Sequence, residues 1–173
     1  FYEVVGRDIR KYKIGIALLL TMRGIPQLYY GTEINLYGSR SDGDAFVRKD
    51  FPGGWKNDKR NAFMDKGRTE EENEIWDFCS KLLNWRKNNK VVHTGKTMQF
   101  APDNSDPSDA DNVYTLFRYN KDKIVGLFIN PDKKSLKIET KRFSELTSNM
   151  KEYIDVIDGE TKEWGEYFFI EEN

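Results

Sequence analysis

Cysteine is nearly absent from this chain. Cys79 stands alone, so no internal disulfide can form and cysteine usage does not fix a redox compartment. Histidine is as scarce: His93 has no second His or Cys near it at ligand spacing, which leaves a zinc site unsupported. Long apolar runs are missing too. The longest, around Ile14 to Leu20, is far too short to span a bilayer. Neither sign of charge dominates, with 28 basic against 29 acidic residues, so there is no basic footprint for nucleic acid. The chain opens on Phe1, and no basic-then-apolar leader precedes the fold. That is the expectation for a cut from a longer chain or for a processed one. No internal repeat is visible. What is present is charge, 33% of residues, together with 14% aromatics. That combination fits a folded, sugar-handling protein better than a disordered one. A length of 173 residues suits one domain, or a small domain plus part of another.

Apolar periodicity divides the chain near Asn88–Lys90. Before it, Ile9, Tyr12, Ile16, Leu19 and Leu20 recur at helical spacing, which predicts a helix from about Val4 to Met22. Ile14 and Leu18 widen its stripe, so packing on more than one side is expected. Gly24 closes the helix. Ile25 to Tyr30 then reads as a short strand covered on both faces, with Pro26 at its start. Tyr29 and Tyr30 are expected to point to opposite faces. Glu33 to Lys66 is long and irregular, broken by Gly38, Gly43, Pro52, Gly53 and Gly54. Loops of that length in compact domains are usually functional or disordered, and Tyr37, Phe46, Phe51, Trp55 and Phe63 argue for order. A second helix is predicted over about Glu70–Lys87. Thr69 and Glu72 form a capping box, and the acidic first turn and basic last turn suit the helix dipole. Ile75, Phe78, Cys79, Leu82 and Trp85 make its apolar face. Beyond Lys90 the period shortens to two. Strands are predicted near Lys96–Phe100, Val113–Tyr119, Ile124–Asn130, Leu136–Glu139, Tyr153–Ile157 and Tyr167–Ile170, with hairpin turns at Tyr119–Lys123 and Asp158-Gly159. This half reads as a small antiparallel sandwich.

One stretch is far more specific than any of these patterns. Gly24-Ile-Pro26-Gln-Leu-Tyr29-Tyr30-Gly31-Thr-Glu33 resembles the Gly-x-Pro-x-x-Tyr-x-Gly-x-Glu signature around the eighth barrel strand of the α-amylase superfamily, glycoside hydrolase family thirteen. Every fixed position is met. The order of helix, signature, long loop, helix and all-β region resembles that family over essentially the whole chain. Arg48-Lys-Asp-Phe-Pro-Gly-Gly-Trp55, followed by Asp58-Lys-Arg-Asn-Ala-Phe63, looks most like the neopullulanase and cyclomaltodextrinase group. The resemblance implies a mixed fold: the last β/α portion of a (β/α)8 barrel over residues 1–89, then an all-β antiparallel C-terminal sandwich over 90–173. It also implies an α-glucan hydrolase acting on α-1,4, and by extension α-1,6, bonds of starch, pullulan or cyclodextrins. Such enzymes retain configuration, using a nucleophile and a general acid about 5 Å apart. The family's catalytic carboxylates belong to motifs that would lie before Phe1, the last of them Asn-His-Asp. That triplet does not occur here, so no catalytic residue is assigned. The alternative is a non-catalytic module that binds starch or stabilises a barrel.

For substrate contact the resemblance singles out Asp44 and Arg48. In that group an Asp and an Arg at this spacing touch glucose hydroxyls. A carboxylate accepts from vicinal hydroxyls and a guanidinium donates a fork. The bland reading is a surface ion pair worth little. The residues between them, Ala45-Phe-Val47, depart from the family's usual Pro and Asn. Glu33 is read as scaffold rather than chemistry, Trp55 as a loop anchor or a sugar platform, and Trp76 and Trp85 as packing residues. Trp164 is read as hairpin packing before sugar stacking, and Cys79 as inert. Asp103, Asp106, Asp109 and Asp111 could gather calcium but do not match a calcium-loop pattern, so a solvated loop is expected and no cofactor is assigned. The expected partners are α-glucan oligosaccharides, with neither nucleic acid nor membrane. A barrel strand without its neighbours also predicts either self-association of the N-terminal half or that this chain is one part of a larger protein. Compartment stays open between a secreted or periplasmic enzyme and a cytoplasmic one.

Overall fold

The structure is a computed structural model that describes residues 1–104 and 112–171. It forms two compact units, one of Phe1–Leu19 with Pro26–Asn84, the other of Leu20–Ile25 with Trp85–Asn173.

In the first unit, helix α1 runs over Ile9–Thr21, shorter than the apolar pattern suggests. Gly6 and Arg7 both have positive φ, which breaks the helical path. Asp8 then caps the helix: its Oδ1 accepts the backbone N–H groups of Arg10 at 2.9 Å and Lys11 at 3.3 Å. Tyr12, Ile16 and Leu20 are buried, Ile14 and Leu18 are half-buried, and Leu19 is exposed. Helix α2 is a single turn, Asp44–Val47, inside the long loop. Helix α3 spans Glu70–Lys87 as the pattern predicts. The Thr69 N–H donates to Glu72 at 2.8 Å and the Glu72 N–H donates to Thr69 Oγ1 at 3.1 Å. Ile75, Cys79 and Leu82 are buried. Burial of the Cys79 thiol pushes its pKa up to about 11, which disfavours the reactive thiolate.

The predicted strand over Ile25–Tyr30 is a correction. Among the described residues this segment joins no ladder, and Ile25 is 98% exposed. A strand exists only through its neighbours' hydrogen bonds, and no barrel is formed by this chain. Tyr29 and Tyr30 do not straddle a strand either. Their rings lie beside each other, centroids 4.4 Å apart.

The second unit holds helix α4, Lys90–Thr94, which the sequence pattern does not announce, and seven described strands. They are β1 (Lys96–Met98), β2 (Tyr114–Tyr119), β3 (Ile124–Ile129), β4 (Leu136–Glu139), β5 (Glu152–Ile154), β6 (Thr161–Glu163) and β7 (Tyr167–Ile170). All pairings are antiparallel: β1-β2-β3, β4-β7 and β5-β6. Inward residues of the first two sheets share one core. Phe117 from β2, Leu136 and Ile138 from β4, and Phe100, Val113 and Phe143 are buried in it, with Phe128, Trp164, Phe168 and Ile170 packed against them. Phe143 arrives from the 3-10 turn Thr140–Phe143 and meets Phe100, Phe117 and Phe128 within 5.6 Å. Burying one such ring stabilises by about 1.5–3 kcal/mol. The expected sandwich is therefore present. Trp164 packs against Tyr153 and Phe168, in keeping with the packing role.

Two turns follow their residue chemistry. Asn120 Oδ1 accepts the N–H groups of Asp122 and Lys123 between β2 and β3. Gly159, at φ 85°, turns β5 into β6. The predicted strand Tyr153–Ile157 ends at Ile154 because Asp155 Oδ1 accepts the Ile157 N–H and starts that turn.

Two arginines are buried in this unit with no carboxylate partner among the described residues. Arg86 donates to the carbonyls of Leu20 and Gly24. Arg118 donates to Thr21 at 3.2 Å and Gly95 at 2.8 Å. Of these acceptors, the Leu20 and Thr21 carbonyls are the last two of α1, where the helix dipole favours positive charge. Burial lowers the pKa of both, and Arg86 and Arg23 add to the lowering at Arg118.

Candidate functional site

The signature segment is built around Gly31. At φ 82° it sits in the left-handed region, and a Cβ there would come within 2.8 Å of Leu36. Its carbonyl accepts the N–H groups of Ile34 and Leu36. The result is a tight reversal, with the 3-10 turn Thr32–Ile34 on top. Tyr12 closes the turn from α1, donating its phenol to the Thr32 carbonyl at 2.8 Å. Its pKa is raised by burial and by nearby Cys79, with Glu33 adding to the rise. Glu33 itself is half-buried. Asn35, also left-handed, donates to Glu71 Oε1 at 2.5 Å, and Tyr2 donates to the same oxygen at 2.6 Å. The turn is thereby tied to α3.

Tyr30 carries the connection onward. Its phenol reaches the carbonyls of Arg48 and Lys49, 3.2 Å from each. Tyr29 beside it pushes the Tyr30 pKa up, which keeps the donor protonated. Gly38 lets the chain fold back on α2, since a Cβ there would lie 1.7 Å from the Phe46 carbonyl. The next part of the loop is organised by Asp58. Its Oδ2 accepts the N–H groups of Gly53 at 2.6 Å and Trp55 at 3.1 Å. A cleft of about 320 Å³ lies here, lined by Asp50, Phe51, Pro52, Asp58, Lys59 and Arg60.

Asp44 and Arg48 are brought together at the two ends of α2. Arg48 donates to Asp44 Oδ2 at 3.1 Å, and the side chains are 66% and 72% exposed. They offer solvent an acceptor pair beside a guanidinium fork, the chemistry that holds two neighbouring hydroxyls. Trp55 is 67% exposed and is held by its backbone rather than by packing of its ring. Pattern reasoning alone did not find the Tyr30 tether, although the tyrosine is part of the signature. Neither did it find the burial of Arg86 and Arg118, which look like surface charges in sequence.

No group of three or more His, Cys, Asp or Glu that could hold a metal occurs among the described residues. Asp103 is exposed, while Asp106, Asp109 and Asp111 lie outside the described residues. No described helix is long and apolar enough to cross a membrane.

Residues 97–173 match the family profile of the cyclo-malto-dextrinase C-terminal domain. The chain is thus similar to the C-terminal part of α-amylase-family enzymes. Over 62 residues it is 39% identical to the α-amylase SusG of Bacteroides thetaiotaomicron, a match covering 36% of this chain and 9% of that protein. Over 131 residues it is 29% identical to the maltogenic α-amylase of Bacillus acidopullulyticus, covering 76% of this chain and 19% of the relative. The chain thus spans less than a fifth of the length of these relatives. Among solved structures it is similar in fold to AmyP in complex with maltose, with a TM-score of 0.63 and 17% identity, covering 94% of this chain and 32% of that one.

Proposed function

We propose that this chain belongs to an α-amylase-family α-glucan hydrolase that cleaves α-1,4, and by extension α-1,6, glucosidic bonds of starch, pullulan or cyclodextrins. Its catalytic carboxylates come from outside these residues. In this reading residues 1–89 are the last β/α portion of a barrel, whose strand at Ile25–Tyr30 pairs only beside its neighbours. Residues 90–173 are the C-terminal sandwich. Asp44 and Arg48 contact glucose hydroxyls, the carboxylate accepting and the guanidinium donating. The observation that carries the reading is the Tyr30 tether. It fixes the end of α2, and so the Asp44–Arg48 pair, to the signature turn.

The test is a hydrolysis assay on the purified chain with starch, pullulan and cyclodextrins, run beside a maltoheptaose titration. No turnover is expected. Binding that falls about tenfold on Asp44→Ala or Arg48→Ala is expected, the loss of one charge-assisted hydrogen-bonding group. Turnover that survives repurification would return Glu33 and the Asp42–Asp50 loop to the chemistry. Binding indifferent to both substitutions would remove the subsite.

A further inference from the structure

Strands β4 and β7 turn one face inward and the other to solvent. Leu136, Ile138, Phe168 and Ile170 enter the core. The alternation that places them there sends Lys137, Glu139, Tyr167 and Phe169 outward. Register puts Lys137 opposite Phe169 and Glu139 opposite Tyr167. Tyr167 is 49% exposed and Phe169 60%, their centroids 5.7 Å apart and their planes at 81°. The Lys137 ammonium lies 4.5 Å from the Tyr167 ring centre. A cleft of about 540 Å³ opens beside them, lined by Lys137, Glu139, Thr140, Lys141, Glu166 and Tyr167. That volume falls within the roughly 300–1,000 Å³ of small-ligand sites.

We infer that this outer face of the β4–β7 pair is a non-catalytic subsite for α-linked glucan oligosaccharides. The sandwich core needs neither ring, because Phe168 and Ile170 already supply the apolar side of β7. The two exposed rings give C–H-rich pyranose faces a surface to lie on. The ammonium and carboxylate groups around the cleft supply donors and acceptors for hydroxyls. Aromatic body with a polar rim is the chemistry of a sugar rather than of a hydrophobic peptide. Size points the same way. Two half-exposed aromatic side chains present on the order of 200 Å², well under the roughly 800 Å² per partner of a stable protein interface. Ring geometry selects the linkage. Planes at 81° cannot both stack on a flat β-1,4 ribbon, but they can meet successive residues of an α-glucan that turns. The choice of α-glucan rests on the proposed function; the presence of a sugar-sized, mixed-chemistry site does not.

The experiment is an amide NMR titration of the full chain with maltoheptaose, with cellohexaose as control, repeated for Phe169→Ala, Tyr167→Ala and Asp44→Ala. The expected result is saturable shifts at Lys137, Lys141, Tyr167 and Phe169 with maltoheptaose alone, weakened about tenfold by Phe169→Ala and unmoved by Asp44→Ala. Both aromatic changes are at exposed positions, and unchanged shifts in the Phe143 core verify that each variant is folded. No shift on this face, an equal response to cellohexaose, or shifts that survive both aromatic substitutions would overturn the inference. So would shifts that grow with protein concentration in the absence of sugar, which would put a second copy of the chain on this face. Failure of the loop subsite has a different signature. It leaves the β4–β7 shifts intact and removes only the dependence of loop shifts on Asp44.

Discussion

At the scale of single residues, Arg118 departs furthest from the expectation for its type. A fully buried guanidinium is unusual without an acid beside it. Arg118 is accommodated because its two terminal nitrogens meet the carbonyls of Thr21 and Gly95, the first of which ends a helix, while its Nε has no partner among the described residues. Arg118→Ala therefore removes the guanidinium bonds to one buried and one part-buried carbonyl and leaves a void in place of a large side chain. The expected cost is about 3 kcal/mol, read as a lower urea midpoint. Arg118→Met restores most of the volume but none of the donors, so it is expected to recover only part of that loss. Full recovery by Met would show that packing alone, and not the carbonyl bonds, is at stake. None of this is visible in sequence, where arginine in an alternating strand pattern reads as the solvent-facing partner of its neighbours. The burial of Arg118 depends on contacts made to a segment 97 residues earlier.

Single elements were legible to the degree that their determinants are local. Helix α3 could be read to both ends because its start is encoded within four residues, Thr69 to Glu72, and its apolar face repeats without interruption. Strands β4 and β7 were equally clear, since core residues alternate strictly with solvent residues. The strand expected at Ile25–Tyr30 failed for the opposite reason: its hydrogen bonds must come from other strands. Strand β6 was missed because Thr161, Lys162 and Glu163 carry no apolar alternation, and only its pairing with β5 defines it. At the candidate site the Asp44–Arg48 spacing was readable, but the tether from Tyr30 to the carbonyls after α2 was not, because backbone acceptors leave no trace in side-chain identity.

The same capping box sets a pH dependence. Burial pushes the Glu72 carboxyl up, but the Arg60 guanidinium, at 2.5 and 2.7 Å, and the Thr69 N–H outweigh it. The net folded pKa lies below the ordinary 4.5. A depressed carboxylate stabilises the fold above its unfolded pKa and loses that contribution as pH falls through the folded value. Glu72→Gln is accordingly expected to lower the urea midpoint at neutral pH and to flatten its decline below pH 4.5. Parallel declines for the two proteins would mean that Glu72 contributes nothing to acid sensitivity. Thr69→Ala, by contrast, should cost about 1 kcal/mol at every pH, since a hydroxyl does not titrate.

For the molecule as a whole, the two units differ in how completely they bury apolar surface. The sandwich unit closes around Phe143 and its ring of aromatic neighbours. The first unit leaves Val4, Tyr29, Phe46, Trp55, Phe63 and Met64 exposed, and the segment 25–30, shared in sequence between the two units, joins no ladder among the described residues. Exposed apolar area costs about 25 cal/mol per Å², and backbone outside any ladder is open to pairing with another chain. Self-association is the expected outcome for the chain in isolation. Sedimentation velocity should show a coefficient that rises with protein concentration, and Ile25→Lys should reduce that rise, because a charge on the open segment opposes pairing. Because Ile25 is 98% exposed, the substitution removes no intramolecular contact. A fall in association with an unchanged urea midpoint then isolates the open segment as the contact. A concentration-independent monomer in both proteins would mean that the exposed residues are tolerated in water, and that the segment needs no partner to stay soluble.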